Sequence, residues 1–194
     1  MTSDRLLARS VHPLASLVLA LCLMVPLSSR ADTAFSIENA SSQLDDTVYF
    51  LNAVLKVRLP DYIVSAINQG FDLPLVVEIE VHRQRSMWFD ERVIFIRQQY
   101  RLSYHTLLDE YSLLDVNSGM RRYFPSLEKA IAAFSVMFQY PAVDRNSLDP
   151  KKDYMIRCRV GVDGAGIPLP LKSSSLWQND WDLRSDWSEW ELDP

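Results

Sequence analysis

The chain has 194 residues, 48% of them hydrophobic and 23% charged, the balance of a folded domain rather than a disordered segment. With 20 Lys and Arg against 25 Asp and Glu, the net charge is −5, which argues against a generic binder of nucleic acid or of an anionic membrane surface. This length predicts one domain, or two small ones at most.

Arg5 and Arg9 precede an apolar run from Leu14 to Leu27. At about 1.5 Å per residue the run covers ~21 Å, short of the roughly 30 Å of a hydrocarbon core. The pattern predicts a signal peptide over residues 1–31, cut between Ala31 and Asp32, with Ser29 and Ala31 as the small residues before the cut. Pro26 breaks the helix and leaves the cut site extended. A periplasmic location follows. The alternative is an uncleaved inner-membrane anchor that faces the periplasm. A lipoprotein is disfavoured, because Cys22 follows Leu21, where a small residue is needed. Residues 32–194 are then a single exported domain. Its net charge is −7, since residues 1–31 remove three arginines and one aspartate. It keeps one cysteine, Cys158, so no intramolecular disulfide is expected. Cys158 alternates with apolar neighbours in Tyr154–Val160, which predicts a buried thiol.

Residues 34–42 read as an edge strand, closed by a turn at Asp45-Asp46. Thr47 to Leu59 alternates with apolar odd positions and predicts a strand. Pro60-Asp61 opens a short helix with Ile63, Val64 and Ile67 on one face and Gly70 at its end. Leu75 to His82 predicts a strand with Val77, Ile79 and Val81 inward and Glu78, Glu80 and His82 outward. Val93 to His105 predicts its antiparallel partner around an 83–92 loop, with Ile94, Ile96 and Tyr100 inward and Arg97 and Arg101 outward. A row of Glu should then face a row of Arg across an exposed face, each pair worth about 0.2–1 kcal/mol. Tyr111–Val116 and Met120–Phe124 read as a hairpin around Asn117-Ser118-Gly119. Pro125-Ser126 starts a second helix, with Leu127, Ala130, Ile131, Phe134 and Phe138 in one stripe. Residues 139–153 read as a loop and Tyr154–Val162 as a strand. Gly164–Gly166 turns the chain and Ile167–Pro170 is extended, with a last strand near Trp187–Leu192. The predicted fold class is α+β: a mainly antiparallel sheet, sandwich-like, covered by two short helices. An all-β sandwich with the helices as decoration is the alternative.

Catalytic signatures are sparse. The exported domain has two histidines, His82 and His105, both expected on the solvent face and in no metal-ligand spacing. Ser103, His105 and Asp109 invite a triad reading, but Ser103 and His105 share a strand face with no nucleophile elbow or oxyanion loop. Asp90-Glu91 and Asp109-Glu110 could serve a glycosidase only if a fold brought them together. No phosphate-cradling glycine loop and no dinucleotide fingerprint is present, and no cofactor is expected.

Two features remain. The loop from His82 to Arg92 places Met87, Trp88 and Phe89 at a hairpin tip among arginines, and Arg85, Met87, Trp88, Phe89 and Arg92 form the candidate interaction surface. The competing reading folds Trp88 back over the core. The tail holds Trp177, Trp181, Trp187 and Trp190, which could stack on a sugar or lock the C-terminal segment onto a sheet.

Trp88-Phe89-Asp90-Glu91-Arg92, Tyr100–His105, the Ser126–Ala130 helix start and Trp181–Trp187, taken in order, resemble the domain of unknown function 4390 family, secreted proteins of Gram-negative bacteria. The resemblance spans roughly residues 34–193. It implies an exported, single-domain protein, carries no assigned activity and transfers no functional residues. The leading expectation is a non-catalytic periplasmic binding or accessory protein whose partner is a membrane or periplasmic protein, with no nucleic acid involved. A glycan- or lipid-binding module that uses its tryptophans, or a carboxylate-based hydrolase, are the alternatives.

Overall fold

The computed structural model describes residues 34–166 and 183–192. The expected signal peptide, the extended Ile167–Pro170 stretch, Trp177 and Trp181 lie outside the described residues.

Two antiparallel sheets face each other. The smaller has the order β1-β2-β7, built from Phe35–Asp45 (β1), Val48–Val57 (β2) and Val136–Asp144 (β7). The larger has the order β6-β5-β4-β3-β8-β9. Its strands are Leu73–Arg83 (β3), Glu91–His105 (β4), Glu110–Asp115 (β5), Arg121–Phe124 (β6), Tyr154–Val162 (β8) and Ser188–Glu191 (β9). Helix α1 (Asp61–Asn68) follows Pro60, and helix α2 (Leu127–Phe134) starts at Ser126, whose side-chain oxygen accepts from the Lys129 N–H. The α+β reading with a sandwich of two sheets holds.

Period two sets which side chains meet between the sheets. Tyr49, Leu51, Ala53 and Leu55 of β2 are buried against Val77, Ile79 and Val81 of β3 and Ile156, Cys158 and Val160 of β8. Ile63 and Ile67 seal α1 onto this core, and Ala130 and Phe134 seal α2. Ile94, Ile96 and Tyr100 face the same way and are partly buried. Each large apolar side chain withdrawn from water in this layer contributes about 1.5–3 kcal/mol.

Two expectations need correction. The helical stripe does not reach Phe138, and residues 139–153 are not all loop. Helix α2 ends at Phe134, the Ser135 hydroxyl donates to the Ile131 carbonyl at 2.8 Å, and the chain becomes strand β7 along β2. There Met137 points inward while Phe138 is exposed, the signature of period two rather than 3.6. Pro141 is compatible because β7 is an edge strand.

Second, Glu78 and Glu80 are not on an exposed face. They are 5% and 4% exposed. β3 is central, so β8 flanks it opposite β4 and brings Arg159 beside Glu78 and Arg157 beside Glu80. Long arginine side chains cover the carboxylates. Arg97, opposite Glu78 on β4, bonds Asp163 instead at 2.6 Å, and the half-exposed Arg101 lies 4.0 Å from Asp72.

The C-terminal segment closes the β8 side. The Val162 N–H donates to the Leu183 carbonyl and the Ser185 N–H to the Val160 carbonyl. A side chain at Gly161 would put its Cβ 2.5 Å from the Leu183 carbonyl oxygen, so only glycine permits this approach. Trp190 packs on the core and donates from Nε1 to Ser42 on β1 at 3.0 Å. Trp187 lies with its ring centroid 4.4 Å from the Arg157 guanidinium and 4.3 Å from that of Arg159. These two tryptophans therefore act as the lock.

Candidate functional site

The β3–β4 hairpin carries the site. The two strands stay paired as far as Arg83 and Glu91, so the connecting loop is 84–90 rather than 83–92. The base of the loop is fixed by polar contacts. The Gln84 N–H donates to the Asp153 carbonyl at 2.9 Å, and the Arg85 N–H donates to Asp90 Oδ1 at 3.2 Å. The guanidiniums of Arg83 and Arg85 both donate to Glu91. Beyond that base, Met87, Trp88 and Phe89 are 87%, 79% and 97% exposed. Trp88 does not fold back over the core.

A one-residue bulge sets where Arg92 points. Val81 pairs with Ile94, but His82 pairs with Arg92, so Val93 is the extra residue. The bulge turns Arg92 to the outer face, where its Nη1 donates to Glu80 Oε1 at 2.8 Å and its guanidinium lies 4.9 Å from the Phe95 ring centroid. Val93 and Phe95 are themselves partly exposed and extend the apolar surface behind the tip. All five candidate residues thus lie on one hairpin end. Three are bare apolar side chains, and the two arginines are ion-paired.

The outer face of the larger sheet continues from there as a charged layer. Glu80 receives Arg157 at 2.6 and 2.9 Å and has the His82 ring nitrogen 2.7 Å away. Glu78 receives Arg159 at 2.6 Å, with Arg184 3.5 Å away. Burial pushes the Glu80 carboxyl up. Hydrogen bonds from His82, Arg92 and Arg157, with the charge of Arg157, outweigh that and hold it at about 2. A glycosidase general acid needs the opposite shift, so Glu80 is unsuited to that role.

The other catalytic constellations come apart. Asp90-Glu91 and Asp109-Glu110 sit at opposite ends of β4, roughly 45 Å apart at the usual strand rise. The His105 ring nitrogen lies 2.8 Å from Ser112 Oγ on β5, the residue that pairs with Ser103. Ser112 is fully buried and also receives Arg121, while Asp109 accepts from the Tyr104 hydroxyl. Among the described residues no cluster of three His, Cys, Asp or Glu could hold a metal ion, and no helix is long and apolar enough to cross a membrane.

Sequence reasoning missed one feature, a cleft of about 900 Å³ between α1 and β4, lined by Tyr62, Phe71, Tyr100, Arg101 and Asp163 among others. It is assembled from segments distant in sequence, so no local pattern announced it. Its buried acid is already engaged: Asp163 accepts from Arg97, Gln99 and the Ala165 N–H. Burial and the negative charge of Asp115 raise the Tyr100 hydroxyl to about 12, so it stays protonated.

Comparison with curated proteins finds no match, and comparison with solved structures finds none either. A family model does match, over residues 32–191, nearly the span on which the sequence resemblance rests. The chain belongs to the family described as Domain of unknown function (DUF4390).

Proposed function

We propose that the protein is a non-catalytic periplasmic binding or accessory module whose contact element is the β3–β4 tip. The observation that carries this reading is the joint exposure of Met87, Trp88 and Phe89 on a hairpin whose base is fixed by Arg83, Arg85, Asp90 and Glu91. A loop fixed at its base in this way has part of its backbone ordering cost met before binding, which favours a contact role. Export is supported by the basic, apolar and small-residue pattern of residues 1–31. A non-catalytic role is supported by the ion pairing of Glu78, Glu80 and Glu91 and by the dispersal of the other acid and base groups.

Photo-cross-linking in the cell tests the reading. A benzophenone amino acid at Met87 leaves Trp88 and Phe89 in place and inserts into lipid or protein C–H bonds alike. An adduct from position 87, absent from a control at the exposed Lys129 of α2, is the expected result. No adduct from 87, or equal adducts from both positions, would show the contact reading wrong.

A further inference from the structure

We propose that the β3–β4 tip is a lipid anchor that enters the headgroup boundary of a phospholipid bilayer. This rests on the contact reading above and names what the tip touches. Met87, Trp88 and Phe89 are consecutive, lie at a bend in the chain and are each at least 79% exposed. Neighbours on a bend project in different directions. A protein surface would have to form a deep, matching socket to cover all three, whereas a fluid interface closes around a protrusion from every side. Tryptophan is suited to that depth, because its ring is apolar and its N–H reaches water and headgroups.

The collar behind the tip fits the same level of the membrane. Arg83 and Arg85 share Glu91, and Arg92 shares Glu80. Arginine forks match phosphate oxygens, and two guanidiniums on the single carboxylate of Glu91 leave one positive charge to meet them. A collar of both signs suits a zwitterionic headgroup layer and avoids reliance on anionic lipid, which an acidic protein would repel. Val93 and Phe95, partly exposed on β4, continue the apolar surface into this layer. The paired 11-residue β3 and 15-residue β4 hold the tip out, so insertion orders no new segment.

The test uses the protein as recovered from the periplasm, with Cys22→Ser and Ser86→Cys in the gene, the new thiol carrying a polarity-sensitive nitrobenzoxadiazole dye. Cys158 is buried and stays unlabelled. A matched protein carries the dye at Lys129→Cys. On addition of phosphatidylcholine vesicles, the dye at 86 should shift to the blue and be quenched by nitroxide lipids, and the dye at 129 should do neither. The response should persist at about 0.5 M NaCl, where screening acts within a few ångströms. Trp88→Ala with Phe89→Ala should weaken vesicle partitioning read at 86 by roughly tenfold or more. An unchanged dye at 86, equal responses at 86 and 129, loss of the response in salt, or an undiminished response in the double variant would each overturn the anchor. If lipid alone leaves the dye unchanged while position 87 cross-links to a protein, the anchor is wrong and the contact reading stands. If neither occurs, both are wrong.

Discussion

Arg92 and Glu80 meet at 2.8 Å on the outer face of the larger sheet, although Arg92 has the same parity as Ile94, which points into the core. The bulge at Val93 reverses the alternation and lets a strand that is apolar inside deliver a cation to a buried carboxylate outside. The same contact ties the exposed tip to the charged layer, because Glu80 also receives Arg157 from β8, and Arg157 stacks under Trp187.

Acid should weaken the fold through Glu80. Its folded value of about 2 lies below the ordinary 4.5. The associated stability is therefore fully present above pH ~4.5 and lost as pH falls towards ~2, up to about 3 kcal/mol at about 1.4 kcal/mol per unit. Glu80→Gln should lower stability at neutral pH by about 3 kcal/mol, since it leaves Arg92 and Arg157 without their carboxylate. It should also flatten the acid limb of the stability–pH curve. Urea unfolding at pH 7, 4 and 3, monitored by circular dichroism, reads both effects. Identical acid limbs in parent and variant would contradict this account.

The thiol of Cys158 should be inert in the folded protein. The residue is fully buried on β8, and burial raises its pKa to about 12. Iodoacetamide at pH 8 should leave the Cys158 peptide unmodified in native protein and modify it in urea, as peptide mass mapping would show. Rapid native labelling would mean that β8 opens locally.

Export makes a sharp chemical prediction. The protein recovered from the periplasm should begin at Asp32, as intact-mass measurement would reveal. A chain that begins at Met1 in the membrane fraction would establish the anchored alternative instead.

Local rules made much of the fold legible. Alternation located β2, β3, β4 and β8, and the Ser126 cap located the start of α2. What stayed hidden was set by partners far away in sequence. Glu78 and Glu80 looked like an exposed row because nothing local says that β8 lies beside β3. Phe138 looked helical because it falls four residues after Phe134, which is buried and packs edge-on to Tyr100 at 5.2 Å. Pairing with β2 overrides that spacing. The tip residues could be named in advance, but their orientation could not, since a loop has no period from which to read a face.

The two phenylalanines give that difference a measurable form. Phe134→Ala should cost about 3 kcal/mol or more, as buried aromatic truncations do. Phe138→Ala, on the exposed side of an edge strand, should change stability by less than about 0.5 kcal/mol. Equal costs in urea unfolding would place Phe138 on the helical stripe after all.

Truncation of the tip should separate folding from contact. Trp88 and Phe89 bury little of their surface in the free protein, so replacing both with Ala removes few core interactions. The polar base of the loop, from Arg83 and Arg85 to Asp90 and Glu91, uses neither ring. The double variant should therefore unfold within about 0.5 kcal/mol of the parent, a change of a few degrees at most in the thermal midpoint. A pair of aromatics that capped the core would instead cost about 3 kcal/mol or more. Calorimetry of parent and variant decides between these without knowledge of what the tip touches. A large fall in the midpoint would show that the rings support the fold, and the tip would lose its standing as the contact element. A midpoint held nearly constant, together with loss of the cross-link from position 87, would assign the rings to contact rather than to stability.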